Sequence, residues 1–130
     1  MSALLLDTHV VHWWSAEPER ISRPARRVLK AADELLIAAV SWYELAWLTE
    51  RQRIVLDVPI RSWLEDLGAH LRTVGITPAI AASAAGLPSS FPRDPTDRII
   101  YATAIEHGVK LVTKDRAIVE RDAPRSLVVW

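Results

Sequence analysis

The sequence predicts an α/β sandwich with a mainly parallel central sheet. Short apolar runs alternate along the chain with segments that carry helix start signals, and this alternation is typical of such folds. The runs are continuously apolar instead of alternating between apolar and polar residues, which indicates strands covered on both faces. A length of 130 residues favours one domain, and we assign residues 1–130 to it.

The predicted strands are short and rich in leucine, isoleucine and valine. They are ALLL at 3–6, LLIAAV at 35–40, RTVGI at 72–76, KLVT at 110–113 and LVVW at 127–130. Their brevity and unbroken apolar character are expected of strands in a parallel sheet with helices on both faces.

The predicted helices begin at residues that favour helix starts, either a side chain that can cap the first turn or a proline near the first position. In chain order these signals are Ser22 with Pro24, Ser41, Pro59, Thr77 with Pro78, and Asp94 with Pro95. Ser41 is predicted to cap the helix WYELAWLTERQR, which would place Glu44 in its first turn. Gly108 follows TDRIIYATAIEH and is a natural left-handed terminator.

The composition excludes several classes of protein. Sixteen basic residues balance 16 acidic ones, so the molecule as a whole has no field that attracts nucleic acid or membrane. A polyanionic partner must then be held by a local basic patch or through a metal ion. The absence of cysteine excludes disulfides and thiolate metal sites. Without a signal-peptide pattern or a run of about 20 apolar residues, we expect a soluble cytoplasmic protein with no membrane partner.

Four carboxylates follow predicted strands or begin predicted helices. Asp7 follows the first strand, Glu44 comes after the second, Asp97 opens the helix TDRIIYATA, and Asp115 follows KLVT. In a parallel sheet these positions share one edge, where ligand crevices form. Asp94, one turn before Asp97, is expected near the same edge.

Each of these carboxylates could also be an ordinary helix cap. Asp7 and Asp115 could cap helices, and Glu44 and Asp97 could close capping boxes behind Ser41 and Asp94. Helix capping alone does not explain why the four carboxylates share one edge, because two carboxylates 4 Å apart repel by about 4 kcal/mol at an effective dielectric of ~20. A divalent cation would relieve that repulsion. Oxygen ligands without cysteine favour Mg²⁺ or Mn²⁺, and such a site suits hydrolysis of phosphate esters or phosphodiesters.

Four segments carry a family resemblance along the whole chain. LLLDTHVVHWW, AAVSWYELA, FPRDPTDRIIYATA and GVKLVTKDRAI, in this order and spacing, closely resemble the acidic motifs of PIN-domain proteins, and most closely those of VapC-type toxins. The resemblance implies a three-layer α/β/α sandwich with a mainly parallel sheet. It also implies a metal-dependent ribonuclease inhibited by a cognate antitoxin.

Carried over position by position, the resemblance makes Asp7, Glu44, Asp97 and Asp115 the catalytic and metal-binding quartet, with Asp94 as a fifth candidate ligand. Asp7 and Asp97 are expected to hold the main Mg²⁺, and Mn²⁺ is a substitute. Glu44 and Asp115 would act through waters, a second ion or orientation of the attacking water. The resemblance also implies in-line attack by water that leaves a 5′-phosphate and a 3′-hydroxyl. Where many relatives carry a histidine before RDP, this chain has Pro92.

Cations beside the acids are candidates for RNA phosphate contacts, although for each of them singly an ordinary surface ion pair with a neighbouring carboxylate is the favoured explanation. They are Arg93, Arg98, Lys114 and Arg116. A denser basic run from Arg20 to Lys30 is the better patch, although a solvated helix face explains much of it. Thr113 is a candidate partner for a site carboxylate or water, with Thr8 a weaker one. His9 and His12, three residues apart, are interpreted as ordinary helix-face residues.

Six tryptophans are many for this length. Trp42 and Trp47 lie on different faces of one predicted helix, and the adjacent Trp13 and Trp14 cannot both point inward. Core packing explains any one of them, but the set predicts an exposed apolar groove. The family resemblance suggests that a second copy, in a homodimer, and an antitoxin segment cover this region.

Two other functions compete with the ribonuclease hypothesis. A catalytically inactive PIN-like module could bind RNA or protein, but crowded carboxylates would bring it no benefit. A phosphoacceptor receiver domain has a similar size and fold, but it needs an acidic pair after the first strand, where Asp7 is followed by Thr8 and His9.

Overall fold

Five parallel strands form the centre of the fold in a computed structural model that describes residues 2–123 and 125–130. The strands are β1 (Ala3–Leu6), β2 (Glu34–Ala38), β3 (Arg72–Val74), β4 (Lys110–Val112) and β5 (Val128–Val129). Their order across the sheet is β3-β2-β1-β4-β5, and every described pair is parallel. The predicted α/β fold with a parallel sheet is confirmed.

Seven α-helices surround this sheet in the described part of the chain. They are α1 (Thr8–Ala16), α2 (Arg23–Ala31), α3 (Ala39–Glu50), α4 (Ile60–Gly68), α5 (Pro78–Ala85), α6 (Pro95–His107) and α7 (Arg116–Arg121), with a 3₁₀ turn at Pro18–Arg20. Among the described residues, no helix combines the length and the apolar character that crossing a membrane requires.

Alternate side chains of the inner strands enter two separate cores. Leu4 and Leu6 of β1 point into a core that they share with α1, α2 and α4, whereas Leu5 points to the opposite face. There it packs with apolar residues of α5, α6 and α7, including Ile100 and Ile118. Because both faces are covered, the inner strands need apolar residues at consecutive positions, as the sequence has them.

The second strand is shorter than predicted, and the helix after it begins earlier. β2 ends at Ala38 instead of residue 40, and α3 starts at Ala39, two residues before Ser41. Ser41 therefore does not cap the helix: its buried hydroxyl accepts a hydrogen bond from the Thr8 hydroxyl at 2.9 Å. The predicted capping box was wrong because this contact between α1 and α3 binds the serine side chain. The strands predicted at 72–76, 110–113 and 127–130 are also shorter, as given above.

The predicted helix caps are otherwise found at the expected residues. Ser22 and Thr77 accept hydrogen bonds from the backbone N–H groups of Ala25 and Ile80. Gly108 adopts the left-handed conformation at the end of α6, with φ of 62°. The predicted separation of Trp42 from Trp47 is found, since Trp42 packs against the first core. The expectation that Trp13 and Trp14 cannot both point inward was wrong, because both are partly buried and pack against that same core. Trp47 is 39% exposed and the neighbouring Tyr43 is 72% exposed.

A buried carboxylate fastens the last strand to α6. Asp122 accepts hydrogen bonds from the Tyr101 hydroxyl at 2.7 Å and from the backbone N–H groups of Leu127 and Val128 at 2.9 Å. Burial, and then this hydrogen bond, raise the pKa of Tyr101 above its ordinary value, so the hydroxyl stays protonated as the donor. The carboxylate is the anchor that holds β5 beside β4.

We expect Asp122→Ala to destabilise the fold by about 2–4 kcal/mol, because three donors lose their acceptor in a buried place. Urea unfolding followed by far-UV circular dichroism would measure the change. Asp57→Ala, at an exposed position, is the control and should leave the midpoint unchanged. Equal midpoints for both variants would contradict the anchoring role.

Candidate functional site

A cleft of about 580 Å³ opens at the carboxyl edge of the sheet. It lies where the strand order reverses, since the chain passes from β1 outward to β2 and β3 and then returns to β4 on the other side of β1. Ligand crevices in parallel sheets form at this switch point. All five predicted carboxylates line the cleft: Asp7, Glu44, Asp94, Asp97 and Asp115.

Asp7 is fixed at the floor of the cleft by two hydrogen bonds. Its Oδ1 accepts from the Thr8 backbone N–H at 2.8 Å, and its Oδ2 accepts from the Thr113 hydroxyl at 2.6 Å. The Asp115 backbone N–H in turn donates to the Thr113 hydroxyl at 3.1 Å. Burial raises the pKa of Asp7, and the hydrogen bonds from Thr113 and Thr8 partly offset this. Thr113 thus joins the ends of β1 and β4.

Asp115 and Asp94 are helix caps that also line the cleft. One carboxylate oxygen of Asp115 accepts from the backbone N–H groups of Ala117 and Ile118 at the start of α7. One oxygen of Asp94 accepts from the Thr96 backbone N–H at the start of α6. The capping and cleft interpretations therefore hold together, because a capping carboxylate keeps a second oxygen for another ligand.

Glu44 lies in the second turn of α3, not in the predicted first turn, because the helix begins at Ala39. The side chain is half-buried and lines the cleft. Burial raises the pKa of Glu44, and the neighbouring charges of Asp7 and Asp94 add to the rise. The Thr8 hydroxyl and His9 act in the opposite direction. Glu44 therefore belongs to the cleft and not to the start of its helix.

Asp97 is a strongly perturbed carboxylate of the cleft. It lies in the first turn of α6 and accepts no hydrogen bond from any residue in the described ranges. Burial is the main reason that its pKa rises to about 7, and the charges of Asp7, Asp115, Asp94 and Glu44 raise it further. Four other carboxylates are thus close enough to Asp97 to oppose its ionisation.

The donors of the cleft suit a hard divalent ion. Every candidate ligand is a carboxylate oxygen, and a bound cation would relieve the repulsion that raises the pKa of Asp97. Within residues 2–123 and 125–130, however, no three His, Asp or Glu side chains are grouped so that they could hold a metal ion by themselves. Mg²⁺ commonly takes one or two protein carboxylates and keeps several waters, so this spread set fits Mg²⁺ better than an ion that needs a closed cage.

Of the four cations predicted to contact substrate, Lys114 lines the cleft, and Arg93, Arg98 and Arg116 do not. Arg98 is committed elsewhere: its guanidinium donates to backbone carbonyls of the loop before α6, including Pro92 at 2.8 Å and Pro88 at 3.0 Å. We therefore assign Arg98 to holding that loop rather than to RNA.

Sequence reasoning missed several residues of the cleft wall. His9, His12 and Trp13 on α1 line it, together with Arg53. Arg20, the first residue of the basic run identified in the sequence, also lines the cleft. The α1 residues had a signal, since they follow Asp7 on the helix that it caps. No sequence signal pointed to Arg53, because it lies in an irregular loop after α3 whose path depends on tertiary packing.

Comparison with known proteins gives consistent matches over the whole fold. The family model described as PIN domain matches residues 4–124. The chain is 59% identical over 130 residues, 100% of both chains, to Ribonuclease VapC22 of Mycobacterium tuberculosis. A toxin–antitoxin complex from Klebsiella pneumoniae superposes with a TM-score of 0.68 at 21% identity, covering 98% of this chain and 96% of that one. VapBC2 from Rickettsia felis, bound to a promoter DNA fragment, superposes with a TM-score of 0.71 at 14% identity, covering 98% of each chain.

Proposed function

The chain belongs to the PIN-domain family and is a ribonuclease of the VapC type, and on that premise we propose that it is an Mg²⁺-dependent endoribonuclease. It is the toxin of a toxin–antitoxin pair, and its substrate is cytoplasmic RNA. The proposal rests on its 59% identity to Ribonuclease VapC22 and on one observation in the cleft: the pKa of Asp97 rises to about 7 among four other carboxylates. Carboxylates with raised pKa values that share a cleft are typical of functional sites, and a bound cation would compensate their charges.

Asp7 and Asp97 are the proposed main ligands of Mg²⁺, or of Mn²⁺ as its substitute. Glu44 and Asp115 contribute through waters or a second ion, and Asp94 is a further ligand at the rim. A bound Mg²⁺ would lower the pKa of a coordinated water and offset negative charge on the phosphoryl group. Thr113 and the Thr8 backbone hold the Asp7 carboxylate in one orientation. Glu44, with its raised pKa, orients the attacking water and accepts its proton.

We expect the purified, antitoxin-free protein to cleave RNA in Mg²⁺ or Mn²⁺ and to lose this activity completely in EDTA. A gel assay on total RNA, with the metal restored after chelation, measures both states. RNA that is bound but uncut in either metal would contradict the proposal and favour the catalytically inactive PIN-like module.

Thr113→Val should lower Mg²⁺ affinity and cleavage by roughly tenfold, because it removes the hydroxyl that orients Asp7 while keeping the side-chain volume. Thr103→Val is the matched control, since Thr103 is buried in α6 and donates only to the Ile99 carbonyl. Metal titration of both variants would check this. A Thr113→Val protein with unchanged metal affinity would show that Thr113 has no part in the site.

An antitoxin and a second copy of the chain are the proposed protein partners. Tyr43 and Trp47, four residues apart on α3, leave large apolar surface exposed. Val55 and Val58, in the loop that follows, add 86% and 48% exposed side chains. Large exposed aromatic groups are typical of protein interfaces, so this surface supports the proposal of a homodimer that an antitoxin binds.

A further inference from the structure

A single indole on the wall of the cleft is associated with two cations. The Arg20 guanidinium lies 5.0 Å from the centre of the Trp13 ring, and the Lys114 ammonium lies 5.9 Å from it. All three residues line the same cleft as the carboxylates. The two cations come from different parts of the fold, the 3₁₀ turn before α2 and the loop after β4. Trp13 is what brings them together.

We propose that Trp13, Arg20 and Lys114 form a subsite for an RNA backbone phosphate next to the hydrolytic centre, and that the basic face of α2 continues it. The proposal deepens the ribonuclease function and rests on it for the identity of the ligand. We call these three residues the Trp13 subsite.

The Trp13 subsite has a fixed relation to the carboxylates. Trp13 is six residues after Asp7 on the helix that Asp7 caps, which separates the two by about 9 Å along the helix axis. The indole is itself held, by Trp130 at 5.9 Å between ring centres and by His9 stacked at 6.0 Å. A phosphate at the Trp13 subsite would therefore lie beyond the hydrolytic centre, not on it. Such spacing is expected for the phosphate of a neighbouring nucleotide.

The two cations of the Trp13 subsite are exposed enough to bind an anion. Lys114 is exposed and has no carboxylate within ion-pair distance among the described residues. Arg20 has one partner, Glu17 at 3.7 Å, and its side chain remains 53% exposed. A cation over an indole face keeps its charge and gains a fixed position, so less freedom is lost when a phosphate binds.

The basic face of α2 follows Arg20 closely along the chain, since the helix begins at Arg23. Arg23, Arg26, Arg27 and Lys30 are exposed, and residues 20–30 contain no acidic side chain. None of these four cations forms an ion pair with a described residue. α2 buries only its apolar side, through Ala25 and Leu29. Because the whole chain has balanced charge, this cluster of exposed basic side chains on one helix face indicates a binding surface for a polyanion.

RNA binding can be tested without cleavage. A fluorescein-labelled single-stranded RNA would be titrated in EDTA with protein carrying Asp97→Asn, and the dissociation constant measured at several salt concentrations. Adding Arg20→Gln and Lys114→Gln should weaken binding about tenfold and reduce the slope of log affinity against log salt by about 0.7, the value expected for the loss of one neutralised phosphate on a single strand. Arg51→Gln with Arg61→Gln is the matched control. Arg51 also stacks on an indole, that of Trp47 at 4.7 Å, and neither control cation lines the cleft.

A double-mutant comparison of RNA affinity tests the role of Trp13 separately. Trp13→Leu keeps both cations but removes their platform, so Arg20→Gln should cost less affinity in that background than with Trp13 present. Equal affinity and slope for the Arg20/Lys114 double variant and the control pair would overturn the subsite. A polyglutamate peptide that competes as strongly as RNA would also overturn it and assign the surface to an acidic protein segment. Normal RNA binding without metal-dependent cutting would instead contradict the ribonuclease mechanism and leave the subsite standing.

Discussion

Asp97→Asn should reduce RNA cleavage in Mg²⁺ by roughly 100- to 1,000-fold, because several kcal/mol of charge stabilisation is lost with a metal ligand. Asn keeps the shape of the side chain, and Asp97 makes no hydrogen bond to a described residue that the change would break. Initial rates on a defined RNA would measure the loss. Asp33→Asn, outside the cleft, is the matched control and should retain full activity.

The same substitution should stabilise the metal-free protein at pH 8. The pKa of Asp97 is raised to about 7 in the folded protein, so the folded state holds the proton more tightly than the unfolded chain does. The resulting stability is present below about pH 4 and is lost as the pH rises through about 7. At pH 8 the Asp97 charge therefore opposes folding, and Asn removes it.

Since Asp97 is half-exposed and solvent screens part of the repulsion, we expect a rise in Tm of only about 2–4 °C in EDTA. Loss of RNA cleavage together with a gain in metal-free stability is expected when a charged side chain destabilises the protein alone and binds a cation during catalysis. A Tm that falls, with activity lost, would indicate that Asp97 is structural.

The second large effect is on the pH dependence of metal binding. Mg²⁺ must displace the proton of Asp97, so its apparent affinity should fall about tenfold between about pH 8 and pH 6 for a single group titrating near 7. Calorimetric titration of Mg²⁺ or Mn²⁺ at the two pH values would measure this. The Asp97→Asn protein should bind Mg²⁺ or Mn²⁺ weakly, and this affinity should change much less with pH than that of the native protein. An affinity of the native protein that is flat across this range would contradict a metal-linked proton at Asp97.

The carboxylate cleft could be predicted from sequence because topology decides it. In a parallel sheet, a residue just after a strand and a residue in the first turn of a crossover helix meet at one edge. Asp7, Asp97 and Asp115 needed only correct strand and helix order, and that order follows from apolar runs and caps. Their local roles as caps did not compete with the cleft, because a carboxylate can serve both.

The remaining features depend on contacts that no local pattern encodes. Ser41 has the spacing of a cap, but a hydroxyl 33 residues earlier in the chain, on Thr8, binds it and shifts the start of α3. Arg98 is adjacent to a site acid, yet its guanidinium binds loop carbonyls. Lys114 and Arg20 are far apart in sequence and meet only at Trp13. Such side-chain partners are set by tertiary packing.

The central claim is that the carboxylates of the cleft converge to hold a divalent ion, and Mn²⁺ binding tests it most directly. Electron paramagnetic resonance of Mn²⁺ added to metal-free protein counts the bound ion without reference to RNA or cleavage. We expect saturable Mn²⁺ binding to the native protein and to the Asp33→Asn protein, and an Mn²⁺ affinity at least about tenfold weaker for the Asp97→Asn protein. Equal Mn²⁺ binding by the native and Asp97→Asn proteins, or binding by neither, would contradict it.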